Sequence, residues 1–506
     1  METELVAIPD DALADALCRL PAQSLAAARC VCKAWRGIVD DRGLLLPHLL
    51  PHSVRGIFIN YIDHHRPHLF SRPSSSTASP EIDTTLSFLP NDGWWTVMDH
   101  CDGLLVCDVK RESHLCVCNP ATKRWTLLPP REGLRGYAGA HLMFDPAVSP
   151  HYEVVLIPAV PEKPLRPDHW KVKKKDEDEE KEPDDPYRLM EWPPSQWQLV
   201  VFSSRTGQWE ARSFIREGEP VGTVEEMRSV WGMMRRCRSV YQNGVLYVHC
   251  REYFIMRLSL SSDKYRVINT PKNIAKEKSY LGRSENEVCF GFVDKGQLEV
   301  WILKESCGEM EWVLRYQDDL SGYAHQVISL YRYNNGMVTA GPWTVEEEQN
   351  ASSHNSDDST AETLSEDGFE WDSDNDDMVS VNVNVVGEEN YRDNFIDVIL
   401  GFHPYKKIVY LAEPFRVVAY HMNISKAQYL GYSRPDCYCF NYSNGIYESF
   451  VYTPCMIGAL QEDNNVQANW PELVTGRVRY AHVVVVMNWF LADVGDNQRV
   501  LGGYGL

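Results

Sequence analysis

Four times along the chain a short segment repeats one pattern: a strand-like entry, a turn of small or polar residues, then an aromatic residue that starts the way back. The copies are Val117–Trp125 (VCNPATKRW), Val201–Trp209 (VFSSRTGQW), Arg257–Tyr265 (RLSLSSDKY) and His421–Tyr429 (HMNISKAQY). Each reads as a strand, a tight turn and a return strand. A second pattern precedes two of them. Phe144-Asp145-Pro146 leads to the apolar run Tyr152–Ile157, and Phe402-His403-Pro404 leads to Lys407–Leu411. Units recurring at such intervals bury their faces against neighbours. Residues 90–460 are therefore expected to form an all-β domain, a β-propeller of six to seven blades, with a pair of sandwiches as the rival architecture.

Two segments interrupt this body and hold nearly all of its charge. The formal net charge is −21, of which Asp176–Asp185 contributes −7 and Val345–Asp377 contributes −13. What is left is near neutral, so the field that could steer a charged partner comes from two segments. No basic nucleic-acid footprint is present. The segments, at about 162–194 and 345–390, read as disordered acidic insertions at blade edges, where added loop length costs little closure entropy. Removing them leaves around 290 residues, or six to seven blades of roughly 40 to 50 residues. Residues 461–506 read as a C-terminal extension with a possible closing strand.

The first 50 residues follow another rule. Leu13, Ala16, Leu17 and Leu20 recur at helical spacing while Asp11, Asp15 and Arg19 face water. Asp10 and Asp11 suit the first turn of that helix, and Pro21 stops it. Ser24 is placed to cap a second helical stretch carrying Leu25, Ala28, Val31, Cys32 and Trp35, with Ile38 and Val39 beyond. These apolar residues are too many for one face, so some cover a local core and others point outward. A segment this short buries too little surface to be stable alone. Residues 51–89, rich in Pro and Ser, read as a linker.

The order and spacing of Ile8-Pro9, Leu17, Leu20-Pro21, Ser24-Leu25 and Arg29–Trp35 (RCVCKAW) resemble an F-box, a three-helix module. The resemblance implies docking on the Skp-type adaptor of a cullin and RING ubiquitin ligase, through Ile8, Pro9, Leu13, Leu17, Leu20, Pro21, Leu25, Val31, Cys32 and Trp35. Ile8 stands where Leu is commoner, a volume-conserving change. Ala12, Ala14 and Ala16 stand where bulkier residues are frequent, which implies a weaker grip. The body resembles the F-box-associated, kelch-like domain of plants in His100–Cys107 (HCDGLLVC), in Cys118–Trp125 with Leu128-Pro129-Pro130, and in Tyr241–Tyr247 (YQNGVLY). It lacks the double glycine of true kelch repeats. The implied role is a substrate receptor that captures an unidentified protein for ubiquitination, in the nucleus or cytoplasm. An adaptor-binding scaffold outside a ligase and a propeller enzyme are the rival readings.

Catalytic motifs are missing from the text: no nucleophile elbow, glycine-rich phosphate loop or His-Glu-x-x-His zinc motif occurs. No catalytic residue, cofactor or metal site is expected. The mark of an enzyme would be a His, Tyr and Cys constellation in a central channel. Fourteen cysteines without an export signal read as reduced thiols. Cys116 and Cys118, and Cys437 and Cys439, could meet around zinc only in a spacing unusual for structural sites, so buried thiols are the expectation. His64, His65 and His68 fall in the supposed linker and read as solvated. No apolar run is long enough to cross a bilayer.

Overall fold

In the computed structural model the described residues are 9–20, 22–73, 82–89, 94–109, 114–130, 136–163, 185–228, 238–250, 254–271, 279–306, 308–320, 341–345, 398–438, 445–458 and 460. Four helices come first: α1 (Asp10–Leu17), α2 (Ala22–Arg29), α3 (Lys33–Asp41) and the single turn α4 (Leu46–Leu49). Mostly β structure follows.

Strands β3 (Trp95–Cys101), β4 (Leu104–Val109), β5 (His114–Asn119) and β6 (Arg124–Leu127) pair in sequence order as an antiparallel meander. So do β17 (Ser279–Ser284), β18 (Glu287–Asp294), β19 (Gln297–Ser306) and β20 (Glu309–Asp319), and likewise β22 (Val398–Phe402), β23 (Ile408–Glu413), β24 (Arg416–His421) and β25 (Lys426–Tyr432). An eight-stranded sheet contains two further meanders. One is β7 (Tyr137–Met143), β8 (Glu153–Pro158), β10 (Gln196–Ser203) and β11 (Gln208–Glu217); the other is β13 (Arg238–Gln242), β14 (Val245–Cys250), β15 (Phe254–Ser259) and β16 (Lys264–Asn269). Their last strands join in parallel, with Ile215 opposite Lys264 and Glu217 opposite Arg266. The edges β7 and β13 also touch, so this sheet is nearly closed and barrel-like.

The remaining four-stranded sheet is assembled from distant parts of the chain. Its order is β21 (Thr344–Val345), β2 (His68–Ser71), β1 (Gly56–Tyr61) and β26 (Ile446–Tyr452). The expected linker at 51–89 is corrected here. Gly56–Tyr61 and His68–Ser71 are buried along their whole length, and β1 is paired on both edges. An uninterrupted apolar run such as Ile57, Phe58 and Ile59 suits a strand covered on both faces. The strand that meets the start of the β domain is β26, while the extension at 461–506 lies outside the described residues.

The first acidic insertion also ends earlier than the expected residue 194. Trp192 is buried, and β9 (Glu191–Trp192) pairs with β12 (Gly222–Thr223) beside the short helix α5 (Val224–Arg228). Asp185 lies in an ion pair with Arg228. Residues 164–184 and 346–397, with most of the acidic run of both insertions, lie outside the described residues.

All four repeated segments are hairpins between a third and a fourth strand: β5–β6, β10–β11, β15–β16 and β24–β25. Each turn places one residue in the left-handed region, Lys123 (φ 55°), Gly207 (φ 69°), Asp263 (φ 52°) or Ser425 (φ 51°). In three copies the aromatic residue comes two positions later. In the fourth, Tyr429 comes four positions after Ser425 and Ala427 takes the equivalent place. The sequence alignment of that copy is therefore out of register by two residues.

Apolar cores lie between neighbouring sheets. Val154, Leu156 and Phe202 pack against Val106 and Val117; Ile255 and Ile268 pack with Leu281 and Phe290; Val300 and Ile302 pack with Ile399, Val409 and Leu411. Strands β3, β7, β13, β17, β22 and β26 touch one another in that cyclic order, β26 returning to β3.

Candidate functional site

Helices α1 to α3 enclose a small core of Ala14, Leu17, Leu25, Ala28, Ile38 and Val39. The sequence reading put Ala16 on the buried stripe; Ala16 is exposed and Ala14 takes that place. Two positions on a helix are a rotation of about 200°, which exchanges the two faces. Ser24 is not a cap, because α2 already starts at Ala22. The helix expected to run on to Trp35 breaks after Arg29. Cys32 is extended (φ −158°, ψ 169°) and caps α3, its sulfur accepting from the Trp35 amide at 3.5 Å.

Surface ion pairs bind the helices together. Arg29 grips Asp40 with two bonds, 2.6 and 2.9 Å, linking α2 to α3, and Arg42 reaches Asp11 of α1 at 2.5 Å. The hydrogen bond holds the Arg29 guanidinium above its ordinary value and the Asp40 carboxyl below it. These pairs are solvent-exposed and fix geometry more than stability.

The expected docking residues divide into three groups. Leu17 and Leu25 are inside the module's own core. Leu13, Leu20 and Trp35 pack on that core while staying half-buried. Pro9, Val31 and Cys32 are exposed, Val31 to 65 %. Ile8 and Pro21 lie outside the described residues. A valine left this open and three half-covered large apolar side chains in one small module are surface that a second protein can cover.

A second location sits where the inner strands converge. A cavity of about 70 Å³ is lined by residues of β3, β13, β17 and β26, among them Asp99, His100, Arg238, Tyr280 and Arg283. Asp99 is buried and accepts from the Leu142 amide at 2.9 Å and the Ser239 hydroxyl at 2.5 Å, with His141 Nδ1 3.6 Å away. The Arg238 guanidinium stacks 4.0 Å over the Tyr280 ring, and Arg283 pairs with Asp102 at 2.7 Å. His100, Cys101 and Tyr280 thus bring together the residue types named as an enzyme's mark. Burial pushes the Cys101 thiol far up, lowers His100 and raises Tyr280, and an un-ionised thiol is a poor nucleophile.

His249, opposite Arg238 across the β13–β14 pair, is lowered to about 3 by burial and then by the Arg238 charge. A depressed imidazole contributes stability that is present above the unfolded value of about 6.5 and is lost as pH falls toward the folded value. The expected result is a loss of roughly 1 kcal/mol per pH unit below pH 6.5, read from urea midpoints, and a shallower slope for His249→Leu. Equal slopes would show that His249 does not couple protonation to unfolding.

The thiols and histidines also differ from expectation. Cys116 and Cys118 are buried in β5, as expected, but Cys437 is exposed and Cys439 lies outside the described residues. His64 and His68, read as part of a solvated linker, are half-buried and buried, because they sit on the β1–β2 hairpin.

Comparison with known proteins follows the same division. Residues 5–46 match the F-box domain family. A probable F-box protein of Arabidopsis thaliana is 27% identical over 146 residues, covering 27% of this chain and 34% of that protein. A candidate F-box protein of the same plant is 23% identical over 345 residues, covering 66% and 82%. A candidate F-box/kelch-repeat protein, also from Arabidopsis thaliana, is 28% identical over 137 residues, covering 25% and 33%. The chain spans about a third of the length of the first curated relatives it matches. Among solved structures, the nidogen/laminin complex aligns with 78% of this chain and 97% of that chain at 9% identity, with a TM-score of 0.32 that carries no argument.

Proposed function

We propose, from the premise that the chain is a plant F-box protein, that it is the substrate-recognition subunit of a ubiquitin ligase built on a Skp-type adaptor, a cullin and a RING subunit. The observation that carries this reading is the division of the F-box side chains. Leu17 and Leu25 make a core, while Pro9, Leu13, Leu20, Val31 and Trp35 keep apolar surface exposed among the described residues. On this reading that surface, with Ile8, Pro21 and Cys32, meets the adaptor. Residues 1–50 form the docking module and the β domain starts at Gly56.

We read the β domain as a six-bladed propeller. Treating the eight-stranded sheet as two blades joined at their outer edges gives six four-stranded units, with β26 and β1 closing the circle. The acidic segments then leave it between β8 and β9 and between β21 and β22. The wheel holds a target protein near a loaded carrier enzyme, and proximity supplies the acceleration without catalytic groups of its own. The protein then works in the nucleus or cytoplasm, without cofactor, nucleic acid or membrane.

Affinity purification of the full chain from plant cells tests this. The adaptor and cullin are expected to co-purify. Val31→Asp, at a site too exposed to disturb the fold, is expected to reduce adaptor recovery at least about tenfold, the effect of losing an apolar anchor worth roughly 2 kcal/mol. Val148→Asp, 80 % exposed in the β domain, is expected to leave recovery unchanged. Adaptor recovered without cullin would place the protein outside a ligase, and recovery insensitive to Val31→Asp would remove this face from the interface.

A further inference from the structure

The side chains of His64, His68 and Cys437 converge although the last is far from the first two in sequence. Their ligand atoms all lie within 4.8 Å of one another, and the two imidazole Nε2 atoms are 2.9 Å apart. His64 stands in the turn that leaves β1, His68 opens β2, and Cys437 lies in the turn after β25. We propose that these three residues form a zinc site that staples the β1–β2 hairpin to the segment leading into β26.

Donor chemistry selects the ion. Two imidazole nitrogens and one thiolate suit zinc and exclude magnesium and calcium, which take oxygen ligands. The separation of the two histidines, with three residues between them, falls within zinc-site spacing. Donor atoms about 2.0–2.3 Å from a zinc ion at tetrahedral angles lie roughly 3.3–3.7 Å from one another, so small side-chain rotations bring the three into range. Cys437 is exposed, so an ion can reach the site from solvent.

The surroundings are already rigid. His64 meets the Tyr438 ring edge-on at 5.5 Å, and the Tyr61 ring lies 6.1 Å from His64 and 6.0 Å from His68. The Tyr438 hydroxyl donates to the Ile62 carbonyl at 2.7 Å and accepts from the Gly445 amide at 3.2 Å. Tyr61 donates to the Ser433 carbonyl. Two buried tyrosines thus pin the same two segments that the ion would bridge, which lowers the ordering cost of coordination. Because β26 pairs directly with β1, an ion here strengthens the join between the start and end of the β domain. Its free energy then adds to folding stability by mass action.

The test uses the tag-free full chain purified without chelator. Elemental analysis is expected to find one equivalent of zinc, and a chelator is expected to lower the melting temperature, with added zinc restoring it. Cobalt(II) in place of zinc is expected to give a thiolate-to-metal charge-transfer band that vanishes in Cys437→Ser. That substitution is at an exposed residue, so it spares the fold, and the double variant with His64→Gln is expected to hold less than half the zinc. Stoichiometric copper, no bound metal, or equal zinc in the wild type and double variant each overturns the assignment. None of these outcomes bears on adaptor docking, which the Val31→Asp experiment decides separately.

Discussion

Tyr452→Ala is expected to destabilise the β domain by about 3–5 kcal/mol, the range for losing a fully buried aromatic side chain. Tyr452 has no exposed surface, and its ring meets Phe58 edge-on at 5.2 Å across the β1–β26 join. Its hydroxyl also accepts from the Ala121 amide at 3.1 Å, reaching into the β5–β6 turn. The truncation therefore opens a cavity where three elements meet. Tyr452→Phe separates packing from polarity. The Ala121 amide keeps a second acceptor, the Asn119 side chain at 3.0 Å, so the phenylalanine variant is expected to lose about 1 kcal/mol or less. Urea denaturation followed by tryptophan fluorescence reads both, and similar losses in the two variants would show that the ring is not what holds the join.

Gly103→Ala is expected to be nearly as damaging despite adding one methyl group. Gly103 has φ +91° in the β3–β4 turn, and a Cβ there would stand 2.4 Å from Cys455 Cβ and 2.5 Å from the Cys455 amide nitrogen. Backbone at that distance cannot rotate away, so the segment following β26 must separate from the turn. The β13–β14 turn supplies the control. Gly244 has φ +77° with nothing within 4 Å of its virtual Cβ. Gly244→Ala therefore meets only the conformational cost, on the order of 1 kcal/mol. Gly103→Ala is expected to lose about 3 kcal/mol or more. Matching losses would mean that the crowding at Cys455 relaxes freely.

These two turns also show what local text can reveal. Asp102-Gly103 and Asn243-Gly244 place two consecutive residues in the left-handed region, the signature of a tight type I′ hairpin. Both sit inside the segments that carried the family resemblance, because such a turn restricts residue choice wherever it occurs. The four outer hairpins were legible for the same reason. Their fourth copy was misaligned because Tyr429 served as the marker, whereas the structural equivalence is set by Ser425.

Long-range pairing was not legible. Nothing near Gly56–Tyr61 announces that its partner is Ile446–Tyr452, so Pro and Ser around a buried hairpin suggested a linker. The parallel joint between β11 and β16 is hidden in the same way, since neither strand's own sequence specifies its outer neighbour. In the helical module, helical spacing found Leu17 but exchanged Ala14 for Ala16. For His64 and His68, the missing information was Cys437, which only the folded chain brings close.

The late arrival of β26 has a consequence during synthesis. The N-terminal helices and β1 leave the ribosome early, but β1 lacks one edge partner until Ile446–Tyr452 emerges, roughly 20–80 s later at ordinary elongation rates of ~5–20 residues per second. Throughout that interval the nascent chain offers an unpaired apolar strand beside a finished helical module. On the proposed function, a message truncated before Ile446 would yield a polypeptide that keeps the helical module while presenting an open, aggregation-prone sheet edge, and so would compete with the intact protein for the adaptor.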